Sequence, residues 1–187
     1  RVLARQARVP EAQEWLDKAL KLAPSRKELR LAFIDQLVDD QRYAEAKQQY
    51  VALDKADPNN PDVLRDWGKL ILRDTSRPKE ERQAEAEKVW RRMFAARPND
   101  PLASAQVADL CRQAGMQDQA LALYQKAVEL APTAAQYREY LGEYYHILKR
   151  QDEALATWRH IAAGPQRNAA NLTRLAEVFA QFGYMKE

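Results

Sequence analysis

Cysteine is nearly absent from this chain of 187 residues, and its scarcity excludes one class of fold. With a single cysteine, Cys111, no internal disulfide framework can form. A nucleophilic cysteine would need a base and an oxyanion site, and the sequence identifies neither. Cys111 falls on an apolar stripe, so we interpret it as a small hydrophobic core residue.

Glycine and histidine are also scarce, with five and two residues respectively. Neither G-x-G-x-x-G nor G-x-x-x-x-G-K-[ST] occurs, which excludes the usual phosphate-binding loops. His146 and His160 lie on different predicted helices, and neither H-E-x-x-H nor C-x-x-C occurs. We therefore predict no metal site, no cofactor and no catalytic residue.

Long apolar runs and an excess of one charge are missing too. No stretch approaches the ~20 apolar residues that span a bilayer. Thirty lysines and arginines are interspersed with 27 aspartates and glutamates, which leaves a formal net charge of +3. This mixture of signs disfavours a nucleic-acid partner. The sequence starts at Arg1, with neither an initiator methionine nor a signal peptide. We interpret the chain as an excerpt of a longer protein, with cytoplasmic and periplasmic locations both open.

The sequence does contain a repeated pattern of alanine and proline. An alanine is followed about twelve residues later by a proline in five places: Ala12/Pro24, Ala46/Pro58, Ala86/Pro98, Ala120/Pro132 and Ala154/Pro165. The prolines recur at intervals of 34, 40, 34 and 33 residues. Such a period predicts stacked supersecondary units rather than one globular core. Stacks of this kind usually bind other molecules along an extended surface.

Each period contains two amphipathic helical patterns. In the cleanest unit, the second pattern has the i, i+3, i+4, i+7, i+8 spacing of one helical face: Ala120, Leu123, Tyr124, Ala127 and Val128. Gly115 lies between the two patterns, where a residue with positive φ ends a helix, and Pro132 follows the second. No sustained alternation of period two is bounded by hairpin turns. We therefore predict an all-α fold.

Alignment on the prolines predicts a single array over residues 1–187. Its parts are a second helix of a truncated repeat at 10–24, repeats at 25–58, 59–98, 99–132 and 133–165, and the first helix of a truncated repeat at 166–187. In the repeat at 133–165 we expect the second helix to cover residues 151–163. The repeat at 59–98 has six extra residues, which fall within 73–82. We predict that its second helix begins early, and we interpret the insertion as a tolerated surface feature rather than a binding element.

These units resemble the tetratricopeptide repeat. If the closing proline is counted as position 32, position 20 is alanine throughout, and position 24 is large: Leu16, Tyr50, Trp90, Tyr124 and Trp158. Position 8 is small at Gly68, Ala108, Gly142 and Ala176, whereas Ile34 departs from the pattern. The resemblance implies a right-handed α-α superhelix of stacked antiparallel helix pairs. Small residues at positions 8 and 20 would allow the paired helices to approach closely.

The resemblance also implies that the first helices line a concave groove. The non-core stripe of these helices supplies the candidate partner-binding residues: Asp62, Arg65, Asp66, Lys69, Gln106, Asp109, Gln113, Glu139, Tyr140 and Glu143. Acidic residues outnumber basic ones on the stripe, which favours a basic or polar peptide over nucleic acid. Among four neighbouring tyrosines, we expect Tyr137, Tyr144 and Tyr145 to pack internally and Tyr140 to face the groove.

We therefore predict a non-enzymatic scaffold that binds a peptide or partner protein in the groove. Two alternatives stay open: a substrate-docking arm of an enzyme whose catalytic domain lies outside this chain, and an RNA-binding helical-repeat protein with a basic groove. We also expect self-association through the apolar faces at the two ends of the array, on helices 10–23 and 168–182.

Overall fold

The structure is a computed structural model that describes residues 9–22, 26–95 and 97–184. In this part of the chain there are only α-helices, turns and two short 3-10 segments, which confirms the predicted all-α fold. The helices are α1 (Val9–Leu22), α2 (Lys27–Asp39), α3 (Tyr43–Ala56), α4 (Pro61–Arg73), α5 (Lys79–Ala95), α6 (Pro101–Gln113), α7 (Gln117–Leu130), α8 (Ala135–Ile147), α9 (Gln151–Arg159) and α10 (Ala169–Phe182).

The helices belong to two compact units. The first unit lies within Arg1–Ala96 and contains α1 to α5, and the second lies within Arg97–Glu187 and contains α6 to α10. Within the units, consecutive helices pack as pairs: α2 with α3, α4 with α5, α6 with α7, and α8 with α9. The single array of repeats stays a prediction, and Pro24, which closes its first part, lies outside the described residues.

Three of the helix pairs are joined by the same turn. The residue two positions after the first helix has a positive φ in each: 59° at Gln41, 73° at Gly115 and 64° at Lys149. The next backbone N–H returns to a carbonyl five residues earlier, for example from Met116 to Cys111 at 2.9 Å. This closure satisfies a carbonyl at the helix end. Only Gly115 adopts the left-handed conformation without a Cβ penalty, so the turn geometry, not glycine, is what recurs.

At two glycines a side chain of the paired helix packs directly against the helix backbone. A Cβ added at Gly68 would overlap the indole of Trp90, and one added at Gly142 would overlap the indole of Trp158. Trp90 is 1% exposed and Trp158 is 0% exposed, so neither ring has free space to move into. The close approach predicted for position 8 is thus confirmed at both glycines.

Several other packing predictions are confirmed in the described residues. The alanines at position 20 are fully buried at Ala46, Ala86, Ala120 and Ala154, and Cys111 is buried with them. Tyr137, Tyr144 and Tyr145 are buried, whereas Tyr140 is 43% exposed. The repeat register therefore separates core from surface correctly at these residues, but Ala176, the small residue at position 8 of α10, is exposed, which contradicts the register there.

The structure corrects the end of one helix. We expected the second helix of the 133–165 repeat to continue to residue 163, but α9 ends at Arg159 and is followed by 3-10 segments at His160–Ala162 and Gly164–Gln166. A residue that precedes proline is disfavoured in the α-helical conformation, and Gly164 before Pro165 has a φ of 53°. The proline explains an end near residue 163, whereas the change at Arg159 is a tightening of the last turn into 3-10 geometry, which is common at the ends of α-helices.

The insertion at 73–82 is tied down by side chains. Helix α5 has 17 residues against 14 in α3 and α7, which confirms the early start. Arg82 donates to the carbonyl oxygens of Leu72 and Arg77, the latter from Nε at 3.1 Å. The Ser76 hydroxyl donates to Oδ1 of Asp74 at 2.6 Å. The insertion is therefore an ordered turn with its own hydrogen bonds.

Candidate functional site

The predicted site residues divide between the two units. In the first unit, α4 carries Asp62, Arg65, Asp66 and Lys69. In the second unit, α6 carries Gln106, Asp109 and Gln113, and α8 carries Glu139, Tyr140 and Glu143. All of them are exposed or half-buried. We use the name first-helix face for the surface formed by these second-unit residues and by their exposed neighbours on α6, α8 and α10, which are Leu102, Ile147, Arg174 and Glu177.

In the first unit, the guanidinium of Arg65 forms salt bridges with two carboxylates. Nη1 of Arg65 lies 2.7 Å from Oδ1 of Asp62, and its Nε lies 3.0 Å from Oδ1 of Asp66. Tyr50 of α3 lies nearby, and burial together with the carboxylates of Asp66 and Asp35 raises the pKa of Tyr50 to about 12. The stripe on α4 is therefore a paired charge cluster rather than a row of free acids.

In the second unit, Asp109 is the centre of a hydrogen-bond network. Its Oδ1 accepts from Nε of Arg112 at 3.0 Å and lies 3.5 Å from the hydroxyl of Tyr124. Its Oδ2 accepts from Nε2 of Gln113 at 2.5 Å. Burial and the Asp109 carboxylate raise the pKa of Tyr124 above its ordinary value, so this phenol is neutral at neutral pH. Asp109 thus has both oxygens engaged within the chain.

Sequence reasoning missed Arg112 as a member of this site. It was outside the predicted stripe, yet it lies three residues after Asp109 on the same helix, which is a spacing that brings charged side chains together. That i, i+3 spacing is the signal that could have identified it.

Glu139 is also paired, with a residue from another helix. Nη2 of Arg174 on α10 donates to Oε2 of Glu139 at 2.9 Å, and its Nε donates to the other carboxylate oxygen. The two residues are 35 apart in sequence, so the pair joins α8 to α10. This contact is therefore a link between two neighbouring first helices of the second unit.

These pairs reduce the acidic character that the sequence predicted. Four acids of the stripe, Asp62, Asp66, Asp109 and Glu139, are each salt-bridged to an arginine. Glu143 and Glu177 are exposed carboxylates on α8 and α10.

Two cavities open beside α8 in the second unit. The smaller, which we call the Tyr140 pocket, has a volume of about 60 Å³ and is lined by Asp109, Arg112, Tyr124, Tyr140, Glu143, Tyr144 and Ile147. The larger, which we call the Arg174 cleft, has a volume of about 510 Å³ and is lined by Glu139, Ala170, Thr173, Arg174, Glu177, Val178 and Gln181. The first-helix face therefore offers two adjacent concave places, one small and one wide.

The two histidines and the cysteine, which were considered as metal ligands or nucleophiles, have the following surroundings. Nδ1 of His146 lies 3.2 Å from the hydroxyl of Tyr184, and Nδ1 of His160 lies 2.6 Å from the carbonyl oxygen of Ala156. Across residues 9–22, 26–95 and 97–184, no group of three or more potential ligands is arranged to hold a metal ion. Cys111 is 0% exposed, so no substrate reaches its thiol.

No helix in the described part of the chain combines the length and the apolar character needed to cross a membrane.

Comparison with known protein families identifies one repeat directly. Residues 103–133 match the family model of the tetratricopeptide repeat, and this range covers most of α6 and all of α7. The pairs α2–α3 and α8–α9 repeat its positive-φ turn, as described above. A comparison with curated proteins found no match.

Several solved tetratricopeptide-repeat structures are similar to this chain. A thermophilic protein of this kind from Thermus thermophilus is 18% identical, with 95% of this chain and 94% of that chain covered and a TM-score of 0.48. YrrB, a tetratricopeptide-repeat protein with an unusual peptide-binding site, is 22% identical, with 92% and 86% covered and a TM-score of 0.48. PilF of Pseudomonas aeruginosa is 18% identical, with 98% and 87% covered and a TM-score of 0.47. At these values the similarity indicates no function.

Proposed function

We propose that this tetratricopeptide-repeat chain is a protein-interaction scaffold without catalytic activity, and that a peptide segment of the partner binds along the first-helix face of the second unit. The observation that carries the proposal is the pair of cavities beside α8, the Tyr140 pocket and the Arg174 cleft. Adjacent concave places on one face suit successive side chains of one extended segment.

The composition of the face supports peptide binding. Large apolar side chains are exposed there: Leu102 is 49% exposed, Tyr140 is 43% exposed and Ile147 is 45% exposed. Interfaces are commonly built from a few such anchors inside a polar rim, and tyrosine is over-represented among the residues that carry binding energy. Gln106 and Gln113 are exposed beside these anchors, and their side-chain amides can both donate hydrogen bonds to a peptide backbone and accept them from it.

The charges on the face favour a basic or polar segment. Glu143 and Glu177 are exposed carboxylates, and Glu139 is held by Arg174 across the face. A basic side chain of the partner could bind an exposed carboxylate or replace Arg174 at Glu139, whereas an acidic segment would meet two exposed carboxylates. We therefore place the partner segment among basic or polar peptides.

A peptide-library selection on the whole chain tests this proposal. We expect enriched peptides whose affinity, measured by fluorescence polarisation, falls at least tenfold in the Tyr140→Ala variant, since a truncated tyrosine anchor commonly costs about 2 kcal/mol. Glu143→Lys should also weaken binding. Glu129→Lys makes the same charge change at an exposed position of α7, outside the face, and should leave affinity unchanged.

The proposal would be wrong if no peptide were enriched, or if Glu129→Lys abolished binding while Tyr140→Ala retained it. Tight binding of single-stranded RNA with a steep salt dependence would instead support the RNA-binding alternative.

A further inference from the structure

The Tyr140 pocket combines aromatic walls with carboxylates, and we propose that it binds the ammonium group of a lysine side chain of the partner. This inference rests on the proposed function, because it assigns one subsite of the first-helix face. It goes further by naming the chemical group that the subsite takes.

The size of the pocket limits what can enter. Its volume is about 60 Å³, and a water molecule needs roughly 10–15 Å³ by this kind of measure. The pocket therefore has room for a few water-sized groups, such as an ammonium and its neighbouring methylenes. An indole or a second tyrosine ring would not fit.

The walls of the pocket suit a cation with an aliphatic stem. Tyr124 and Tyr144 are 5% and 2% exposed, and their ring centroids lie 5.3 Å apart, so they form a buried aromatic floor. The exposed ring of Tyr140 forms a side wall and is held edge-on by Tyr137 at 6.2 Å. A cation near tyrosine ring faces is attracted by their quadrupoles, and Ile147 offers an apolar surface to a lysine stem.

The charge of the pocket selects the sign of the ligand. Its charged lining residues are Asp109, Glu143 and Arg112, which sum to a single negative charge. Arg112 donates from Nε and Nη2 to one oxygen of Asp109, so this pair is internally neutralised and Glu143 carries the uncompensated charge. An anionic side chain would be repelled by the Glu143 carboxylate. A purely apolar side chain would desolvate Glu143 without offering it a partner.

The first unit contains a natural contrast to this pocket. By repeat position, Tyr50 corresponds to Tyr124, but Lys69 stands where the second unit has Glu143, and Asp66 stands where it has Tyr140. The first unit thus lacks both the aromatic side wall and the acceptor at that place. Glu143→Lys installs the first-unit charge in the second unit and should abolish lysine binding.

A titration followed by NMR tests the inference on the whole chain. The probe is N-acetyl-lysine methylamide, and the matched control is the norleucine derivative, which has an aliphatic stem but no ammonium. We expect saturable shifts of Tyr140, Glu143 and Ile147, with at least tenfold weaker binding of the norleucine derivative. Glu143→Gln should weaken lysine binding at least fivefold, Tyr140→Leu by two- to fivefold, and Glu129→Gln not at all.

Equal binding of the two derivatives, shifts outside the pocket, or an unchanged affinity in Glu143→Gln would each overturn the inference. Tighter binding of the corresponding arginine derivative would overturn the assignment to lysine. The outcome is separable from that of the proposed function. Library peptides that bind at Tyr140 without any dependence on lysine would contradict this inference alone, whereas binding of the lysine derivative by a chain that selects no peptide would contradict the proposed function.

Discussion

The indole Nε1 of Trp90 donates a hydrogen bond to the main-chain carbonyl of Arg65 at 3.1 Å, on the side of α4 that Gly68 leaves open. In the second unit, Trp158 makes the same bond to Glu139 at 3.4 Å beside Gly142. In both cases the acceptor lies three residues before the glycine. An indole can reach this carbonyl only where no Cβ intervenes, so glycine at position 8 and tryptophan at position 24 are a coupled choice.

Alanine at Gly142 should destabilise the protein. Alanine gains about 1 kcal/mol of helix propensity over glycine, but overpacking typically costs 1–3 kcal/mol and the clashing indole is rigid and buried. We therefore expect a net loss of up to about 2 kcal/mol in urea unfolding. The double variant Gly142→Ala/Trp158→Tyr recreates the Ala108 and Tyr124 combination, and should be more stable than the two single changes predict. Strictly additive effects would contradict the coupling.

The folded state should lose stability at high pH because of Tyr50. Its pKa is raised to about 12, mainly by burial and then by Asp66 and Asp35, against 10.0 ordinarily. As the pH rises, the unfolded chain therefore loses the Tyr50 phenol proton before the folded chain does. The contribution of Tyr50 to the free energy of unfolding is complete below pH 10 and declines as the pH rises toward 12. Between pH 9 and 12, the free energy of unfolding measured in urea should decline less in the Tyr50→Phe variant than in the wild type. Parallel curves would contradict this prediction.

Acid should weaken the link between α3 and the insertion through Glu85. Partial burial acts to raise the pKa of Glu85, but hydrogen bonds from Lys47 and Arg77 outweigh it, and the pKa lies below its ordinary value of 4.5. The stabilisation is thus present above pH 4.5 and is lost as the pH falls through the lower folded pKa. Glu85→Gln should reduce the free energy of unfolding at pH 7 and flatten its dependence on pH between 5 and 2. High salt should reduce the difference in unfolding free energy between the wild type and Glu85→Gln at pH 7.

Loss of the Arg82 side chain should loosen the insertion locally. Arg82 donates to two main-chain carbonyls, at Leu72 and Arg77, and hydrogen bonds to charged groups contribute about 1.5–3 kcal/mol. In Arg82→Ala we expect faster amide hydrogen exchange within 73–82, measured by mass spectrometry, and unchanged exchange in α7. Lys88→Ala, at an exposed position of the same helix, is the control. Equal protection of the insertion in both variants would contradict the anchoring role.

Exposed apolar residues on α1 should promote self-association. Trp15 is 62% exposed and Leu22 is 89% exposed, and the two are seven residues apart on one helical face. We expect concentration-dependent association in analytical ultracentrifugation, which Trp15→Lys/Leu22→Glu should suppress. A monomer at all concentrations in the wild type would contradict the expectation.

Much of the fold could be predicted because the repeat register carries its own physical markers. Prolines mark helix ends, position 20 is small in every unit, and the helical period places Tyr140 outside while it buries Tyr144. The coupling of glycine with tryptophan is visible in the same alignment once positions 8 and 24 are compared across units.

The charge pairs of the candidate site could not be predicted in the same way. Arg174 reaches Glu139 from a helix 35 residues away, and sequence periodicity gives no information on which side chains meet across helices. Within one helix, Arg112 could have been assigned to Asp109 from spacing, but the engagement of both carboxylate oxygens depends on Tyr124 and Gln113 as well. The turn at Gln41 and Lys149 was missed because neither residue is glycine.

The buried tryptophan of the second unit gives that unit its own optical reporter. Residues 97–187 contain one tryptophan, Trp158, whose indole is fully buried and hydrogen-bonded to α8. With Trp15, Trp67 and Trp90 replaced by phenylalanine, the emission spectrum would report on the α8–α9 crossing and on the α10 rings of Phe179 and Phe182 that pack against Trp158. A red shift of the Trp158 emission on denaturation would then report when this crossing opens, independently of unfolding in the first unit.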